Sequence, residues 1–223
     1  MTILLLPGNA KGILRLGLPL TPDRYGWLLS PARTMTKQGL HGLPYAIDNE
    51  VYTGKYHPTK WTRNVKRMAR VHGPDACLFV VAPDVVADAH ATLQQFDEWE
   101  PWIRRLGLPV ALAAQDGIEH LEIPWDRFEA LFVGGTTAWK LSEVTATIMY
   151  EAHQRNKWVH AARVNSRERL DTFKHKPDSI DGTHWTKRPD IYMRRWHRQT
   201  EERRCNHRFP FYPSVPTWQP PEP

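Results

Sequence analysis

The chain has 223 residues, 41% of them hydrophobic, with a formal net charge of +6 and a pI of about 9.4. That length allows one α/β barrel or one or two smaller domains, with a core large enough to need no disulfides. The only cysteines, Cys77 and Cys205, form no close pair, which argues against a disulfide framework or a cysteine-rich zinc site and makes the reducing cytosol the expected compartment. Lys, Arg, Asp or Glu interrupts every apolar stretch, so no membrane span is expected, and residues 1–7 lack the basic flank and cleavage site of a secretory leader. The basic balance tilts only slightly toward a polyanionic partner such as DNA or RNA.

In chain order, residues 2–6 form an apolar run that turns at Pro7-Gly8-Asn9. A second strand is predicted over 25–30, stopped by Pro31, and a third over 45–48. A basic helix is predicted over 60–72 and a strand over 77–82, followed by Pro83-Asp84. The span 88–106 reads as an amphipathic helix with Asp88 as its N-cap. Further strands are expected at 109–114, 130–133, 158–163 and 179–181, with helices over 136–156 and 166–174 between them. Eight strands alternating with helices predict α/β architecture and a compact (β/α)8 TIM-like barrel. The chain is short for that fold, so some helices are expected to be reduced to loops; the 30–45 connection is one.

The barrel is expected to occupy residues 1–188. A basic helix follows over 189–208, carrying Arg194, Arg195 and Arg198 with Trp196, and a proline-rich extended tail over 209–223.

Four apolar runs end on polar or glycine residues: Asp48-Asn49, Gln115-Asp116, Gly134-Gly135 and Asp181-Gly182. Chemistry in parallel α/β folds lies just past the C-terminal strand ends, so the carboxylates of Asp48 and Asp181, the Gln115 amide and the Gly134-Gly135 pair are expected to converge on one pocket. Asp178 and Asp181 are three apart and face opposite sides of a regular strand. Asp181, nearer the strand end, therefore pairs with distant Asp48. Such a pair can divide nucleophilic attack and proton handling; taken singly, an Asp at a strand end more often caps a helix or holds a turn. Gln115 offers a donor and an acceptor suited to a purine edge, Asp84 an acceptor, and Gly134-Gly135 a flat approach.

In this order, Ile47-Asp48-Asn49, Asp84, Gln115-Asp116-Gly117, Gly134-Gly135 and Asp178-Ser179-Ile180-Asp181 resemble the tRNA-guanine transglycosylase superfamily over about residues 25–185. The phrases running from Phe132 to Leu141, from Arg163 to Ser166 and from Asp178 to Thr183 are most similar to its DNA 7-deazaguanine branch of phages and bacteria. Asn49-Glu50 departs from the small residues of that pattern, and the family's zinc cluster of three Cys and a His is missing.

The resemblance implies a DNA-guanine transglycosylase, a glycosyltransferase exchanging guanine in DNA for a 7-deazaguanine such as preQ0. Asp181 would be the nucleophile, Asp48 the acid/base, and Asp84, Gln115, Gly134 and Gly135 the base-binding set. No metal or other cofactor is implied, and tRNA is the less favoured polymer. Expected nucleic-acid contacts are Arg163, Arg167, His184, Trp185, Lys187, Arg188, Arg194 and Arg195, with the enzyme in a bacterial or phage-infected cytoplasm. The residues also admit a nucleoside or glycoside hydrolase, an enzyme for a phosphorylated metabolite, or a non-catalytic DNA-binding protein.

Overall fold

The computed structural model describes residues 3–8, 11–31 and 38–206. Eight parallel strands form one sheet: β1 (Leu4–Leu5), β2 (Trp27–Leu29), β3 (Tyr45–Ile47), β4 (Cys77–Val81), β5 (Val110–Ala114), β6 (Ala130–Val133), β7 (Trp158–Ala161) and β8 (Ser179–Ile180). Their order is β1-β8-β7-β6-β5-β4-β3-β2. A bridge between Leu5 and Tyr25 brings the two edge strands together. There the Leu5 N–H donates to the Arg24 carbonyl at 2.9 Å and the Gly26 N–H to the Leu5 carbonyl at 3.1 Å. The result is a nearly closed (β/α)8 barrel, as the alternation of elements predicts. Gly26 makes the closure possible, because a Cβ there would stand 2.6 Å from the Leu6 side chain and 2.8 Å from the Pro44 carbonyl oxygen.

The pleat sorts each strand into two cores. Leu4, Leu6, Leu28, Ala46, Phe79, Val81, Ala111, Ala113, Ala130, Phe132 and Ala162 pack together inside the barrel. Their alternating neighbours, such as Ile47, Val80, Leu112, Leu131 and Ile180, pack with side chains of the outer helices. Small alanines on β3, β5 and β6 leave room inside for the Phe79 and Phe132 rings.

The helices explain how a short chain completes the shell. Helix α2 (Pro58–His72) opens with proline at its first turn, where a missing N–H costs nothing. Helix α3 (Ala89–Arg104) is capped by Asp88, whose side chain accepts from the Ala91 N–H at 2.9 Å. The single helix expected over 136–156 is two, α4 (Thr137–Lys140) and α5 (Glu143–Gln154). Ser142 breaks it by capping α5 through the Thr145 N–H. Between β5 and β6 the helix is replaced by two 3-10 turns, Ile118–His120 and Trp125–Arg127.

After β8 come α7 (His184–Lys187) and α8 (Pro189–Asn206). Helix α8 buries Met193 and Trp196, the latter edge-on to Trp185 at 5.5 Å. It also packs along α1 (Lys11–Leu14). The expected proline-rich tail lies outside the described residues. Among the described residues no helix is long and apolar enough to cross a membrane.

Candidate active site

Side-chain parity places the pocket. The inward residues Ala46, Ala113, Phe132 and Ser179 are followed two positions later by Asp48, Gln115, Gly134 and Asp181. Each of these four continues the inner face of its strand past the last rung. With Asn49, Tyr52, Asp84, Gly135, Ala162, Arg163, Asn165 and Arg169 they line a cavity of about 430 Å3 at the C-terminal end of the barrel. Asp178 lies at the other end of β8, where its carboxylate accepts from the Val159 N–H and bonds His153.

The two paired carboxyl groups sit in different surroundings. Burial, then the charge of Asp181, pushes the Asp48 carboxyl up to about 7, against weaker lowering by the Asn49 and Glu50 backbone. Asp181 accepts from the Arg163 N–H at 2.8 Å and stands 3.3 Å from His160 Nε2, both at Oδ1. Its Oδ2 has no hydrogen bond among the described residues. Arg163 reaches this position in the left-handed region, with φ 59°. A carboxyl poised to give up a proton near neutrality beside a firmly held carboxylate is an acid/base arrangement.

The base-binding set expected from the sequence does come together, but its polar atoms are engaged with one another. Gln115 Nε2 donates to Asp84, and Gln115 Oε1 accepts from the Gly135 N–H at 2.9 Å and the Ala87 N–H at 3.0 Å. The Gly134 N–H donates to the Ala114 carbonyl. The glycine pair therefore offers a flat backbone surface rather than free donors. Both glycines are required by close approach: a Cβ on Gly134 would meet Gln115 Nε2 at 2.6 Å, and one on Gly135 the Trp139 ring at 2.4 Å. Burial raises the Asp84 carboxyl above the usual range, although bonds from Asn49 and Gln115 oppose the rise.

Residues the sequence reading did not select complete the site. Asn49 is buried and bridges β3 to the segment after β4. Tyr52 stacks on Arg163, its ring centroid 3.9 Å from the guanidinium carbon. Arg163 also donates to the Gly134 and Gly135 carbonyls. Since β3 and β7 lie four strands apart, the Tyr52–Arg163 contact crosses the mouth of the pocket. His160 lies under Asp181 inside the barrel. Lys140 is buried against the Ala162 carbonyl at 2.6 Å, and burial followed by Arg163 lowers its ammonium to about 7. Inward parity signals His160 in the sequence; Asn49 and Lys140 carry no such signal.

Of the expected nucleic-acid contacts, Arg163 alone lines the pocket. Arg167 is paired with Asp171 at 3.0 Å and Arg195 with Glu168 at 2.6 Å, while Arg188 stands 3.8 Å from Asp190. Trp185 is buried and donates to the Val164 carbonyl, and His184 stacks on Tyr192 at 5.1 Å. Lys187 and Arg194 are exposed. Among the described residues no group of three or more His, Cys, Asp or Glu is placed to hold a metal ion.

No family model matches the chain. No curated protein matches it either. Three solved structures similar to it contain c-di-GMP. One is Klebsiella pneumoniae BlrP1 with calcium, at 16% identity and TM-score 0.38, covering 63% of this chain and 37% of that one. Another is the EAL-domain protein YkuI of Bacillus subtilis with calcium, at 12% identity and TM-score 0.38, covering 74% and 46%. The third is the phosphodiesterase PaMucR, at 12% identity and TM-score 0.36, covering 67% and 63%. The chain thus spans less than two thirds of each of these neighbours. At such identities and TM-scores, none of their activities carries over to this chain.

These neighbours belong to a barrel family different from the tRNA-guanine transglycosylases. Membership in that superfamily is therefore corrected. With it go guanine exchange in DNA, the glycosyltransferase class, the 7-deazaguanine base and DNA as partner. The physical reason lies in the hydrogen bonds: of the motif residues that carried the likeness, Asp84, Gln115 and Gly135 brace the strand ends against one another.

Proposed function

We propose that the strand-end pocket is the active site of a hydrolase acting on a small, nucleotide-sized substrate. The observation that supports this is the unequal pair, Asp48 pushed up to about 7 and Asp181 held at Oδ1 by two neighbours. Asp48 gives its proton to the departing group as the bond to it breaks. Asp181, through Oδ2, takes a proton from the attacking water as the new bond forms. The Gly134-Gly135 backbone and the Phe132 and Tyr52 rings offer flat surface to a planar substrate, and Arg163 and Arg169 favour one that carries negative charge. A cytoplasmic location belongs to the same proposal, supported by the free, buried thiol of Cys77.

The test is incubation of the full chain with nucleosides, nucleoside monophosphates and cyclic dinucleotides, followed by chromatography of the products. Hydrolysis of one class, lost by 10²-fold or more in both Asp48→Asn and Asp181→Asn, is expected, a typical loss for a positioned acid or base. Undiminished hydrolysis in Asp48→Asn would remove the assignment.

A further inference from the structure

Among the described residues, the barrel interior beneath the pocket is apolar except for one connected line of polar groups. His160 is fully buried, its ring stacked on Phe132 with centroids 4.9 Å apart and an interplanar angle of 15°. Phe79 lies against it at 5.4 Å. Both ring nitrogens are engaged: Nδ1 with Ser179 Oγ at 2.8 Å and Nε2 with Asp181 Oδ1 at 3.3 Å. Ser179 Oγ is also 2.8 Å from the Trp158 indole nitrogen, which can only donate. Trp158, His160, Ser179 and Asp181 all follow the inward parity of β7 and β8.

The donor inventory gives this line a direction. Trp158 donates to Ser179 Oγ, which leaves the Ser179 hydroxyl hydrogen for His160 Nδ1. Neutral His160 then carries its proton on Nε2, aimed at a carboxylate oxygen. The opposite tautomer would point a nitrogen lone pair at Asp181 Oδ1 and strand the Ser179 hydrogen in an apolar interior, at the cost of an unsatisfied buried group.

We infer that His160 is a positioning residue, fixed as the Nε2–H tautomer by Trp158 and Ser179, which fixes Asp181 Oδ1 and turns Oδ2 to the substrate. This deepens the proposed function, since it rests on Asp181 as the working carboxylate. The charged groups that share the cavity with Asp181 are Asp48, Asp84, Arg163 and Arg169, with Lys140 behind them, and none of these donates a side-chain hydrogen bond to it. Among the described residues Asp181 is otherwise held only by the Arg163 backbone N–H, so removing His160 frees its torsion.

The tautomer is read without any substrate, by long-range 1H–15N correlation on the full 15N-labelled chain at pH 8, with the His160 signals assigned by their loss in His160→Gln. A pyridine-like Nδ1 and a pyrrole-like Nε2 are expected, and the Nδ1 signal should move in Ser179→Ala as its hydrogen-bond donor is lost. A protonated Nδ1 in the wild type, or an unchanged signature in Ser179→Ala, overturns the inference. The link to Asp181 is read from its side-chain carboxyl 13C shift at pH 8. That shift should move in His160→Phe, which removes the donor, and return toward wild type in His160→Gln, whose amide restores one. An unmoved shift in a folded His160→Phe overturns it. Because these readouts need no turnover, failure of the hydrolase reading and failure of the positioning role are distinguishable.

Discussion

The Asn49 amide donates to the Asp84 carboxylate at 2.8 Å and to the Ala82 carbonyl at 2.9 Å, tying the end of β3 to the end of β4. Its own carbonyl oxygen accepts from the Val51 N–H at 2.9 Å. Asn49→Ala leaves a buried carbonyl and part of a buried carboxylate without donors. The expected cost is about 1–3 kcal/mol in chemical denaturation. Asn49→Asp should cost at least as much at pH 8, because it sets a second carboxylate against Asp84, and should recover part of the loss at pH 5. Equal stability of Asn49→Ala and wild type would show that the brace is dispensable.

The Asp48 carboxyl produces a defined pH dependence of stability. Its folded value, about 7, lies above its unfolded value near 3.9. Between these values the folded state binds more protons than the unfolded one, so this group's contribution falls as pH rises from about 4 to about 7 and is level beyond. Asp48→Asn removes that slope, while the contribution of Asp84, which has the same sign, remains in both proteins. The variant should match wild type near pH 4 and exceed it by roughly 1–3 kcal/mol at pH 8, less than the full shift would give because Asp48 faces the cavity. Urea denaturation at several pH values checks the difference, and parallel curves would contradict it.

Gly135 holds φ 53° with the Trp139 ring and the Asp116 carboxylate packed where a Cβ would stand. Gly135→Ala combines a strained backbone with two close contacts. A loss of about 1–3 kcal/mol is expected. The same change should loosen the Gly135 N–H bond to Gln115, seen as faster amide exchange at that position. Asp116→Asn, which keeps the shape beside Gly135 and an acceptor for the Thr136 N–H, should cost less.

How much of this was legible in the sequence follows from periodicity. All eight strands fall within the predicted runs, because strands buried on both faces are apolar nearly throughout, His160 and Ser179 being the exceptions. Parity then marks Asp48, Gln115, Gly134 and Asp181 as one inner ring. The helix expected over 136–156 failed at Ser142, a good cap that a run of helix formers conceals. Motif order misled for a related reason. Gln115, Asp84 and the glycine pair are the residues a planar ligand would want, and equally the residues a barrel needs to tie β4, β5 and β6 together at their ends. Only the hydrogen bonds distinguish the two uses. Lys140 was invisible, since its burial depends on α4 folding back over the Ala162 carbonyl.

Lys140 provides the opposite pH signature. Burial and the neighbouring Arg163 lower its ammonium to about 7, against an ordinary value near 10.4. Between these values the unfolded chain holds more protons than the folded one, so this group's contribution to stability rises with pH across that window. Below about 7 the full desolvation cost is present in wild type. Lys140→Met removes both the charge and the bond to the Ala162 carbonyl, so its absolute stability mixes a gain with a loss. The slope does not mix them: wild type should gain about 2–4 kcal/mol relative to the variant between pH 7 and pH 10.5, with no change in the difference below pH 6. Groups titrating in both proteins, the thiol of Cys77 among them, cancel in that difference. A constant difference across the window would mean that the ammonium keeps its ordinary value and is reached by water.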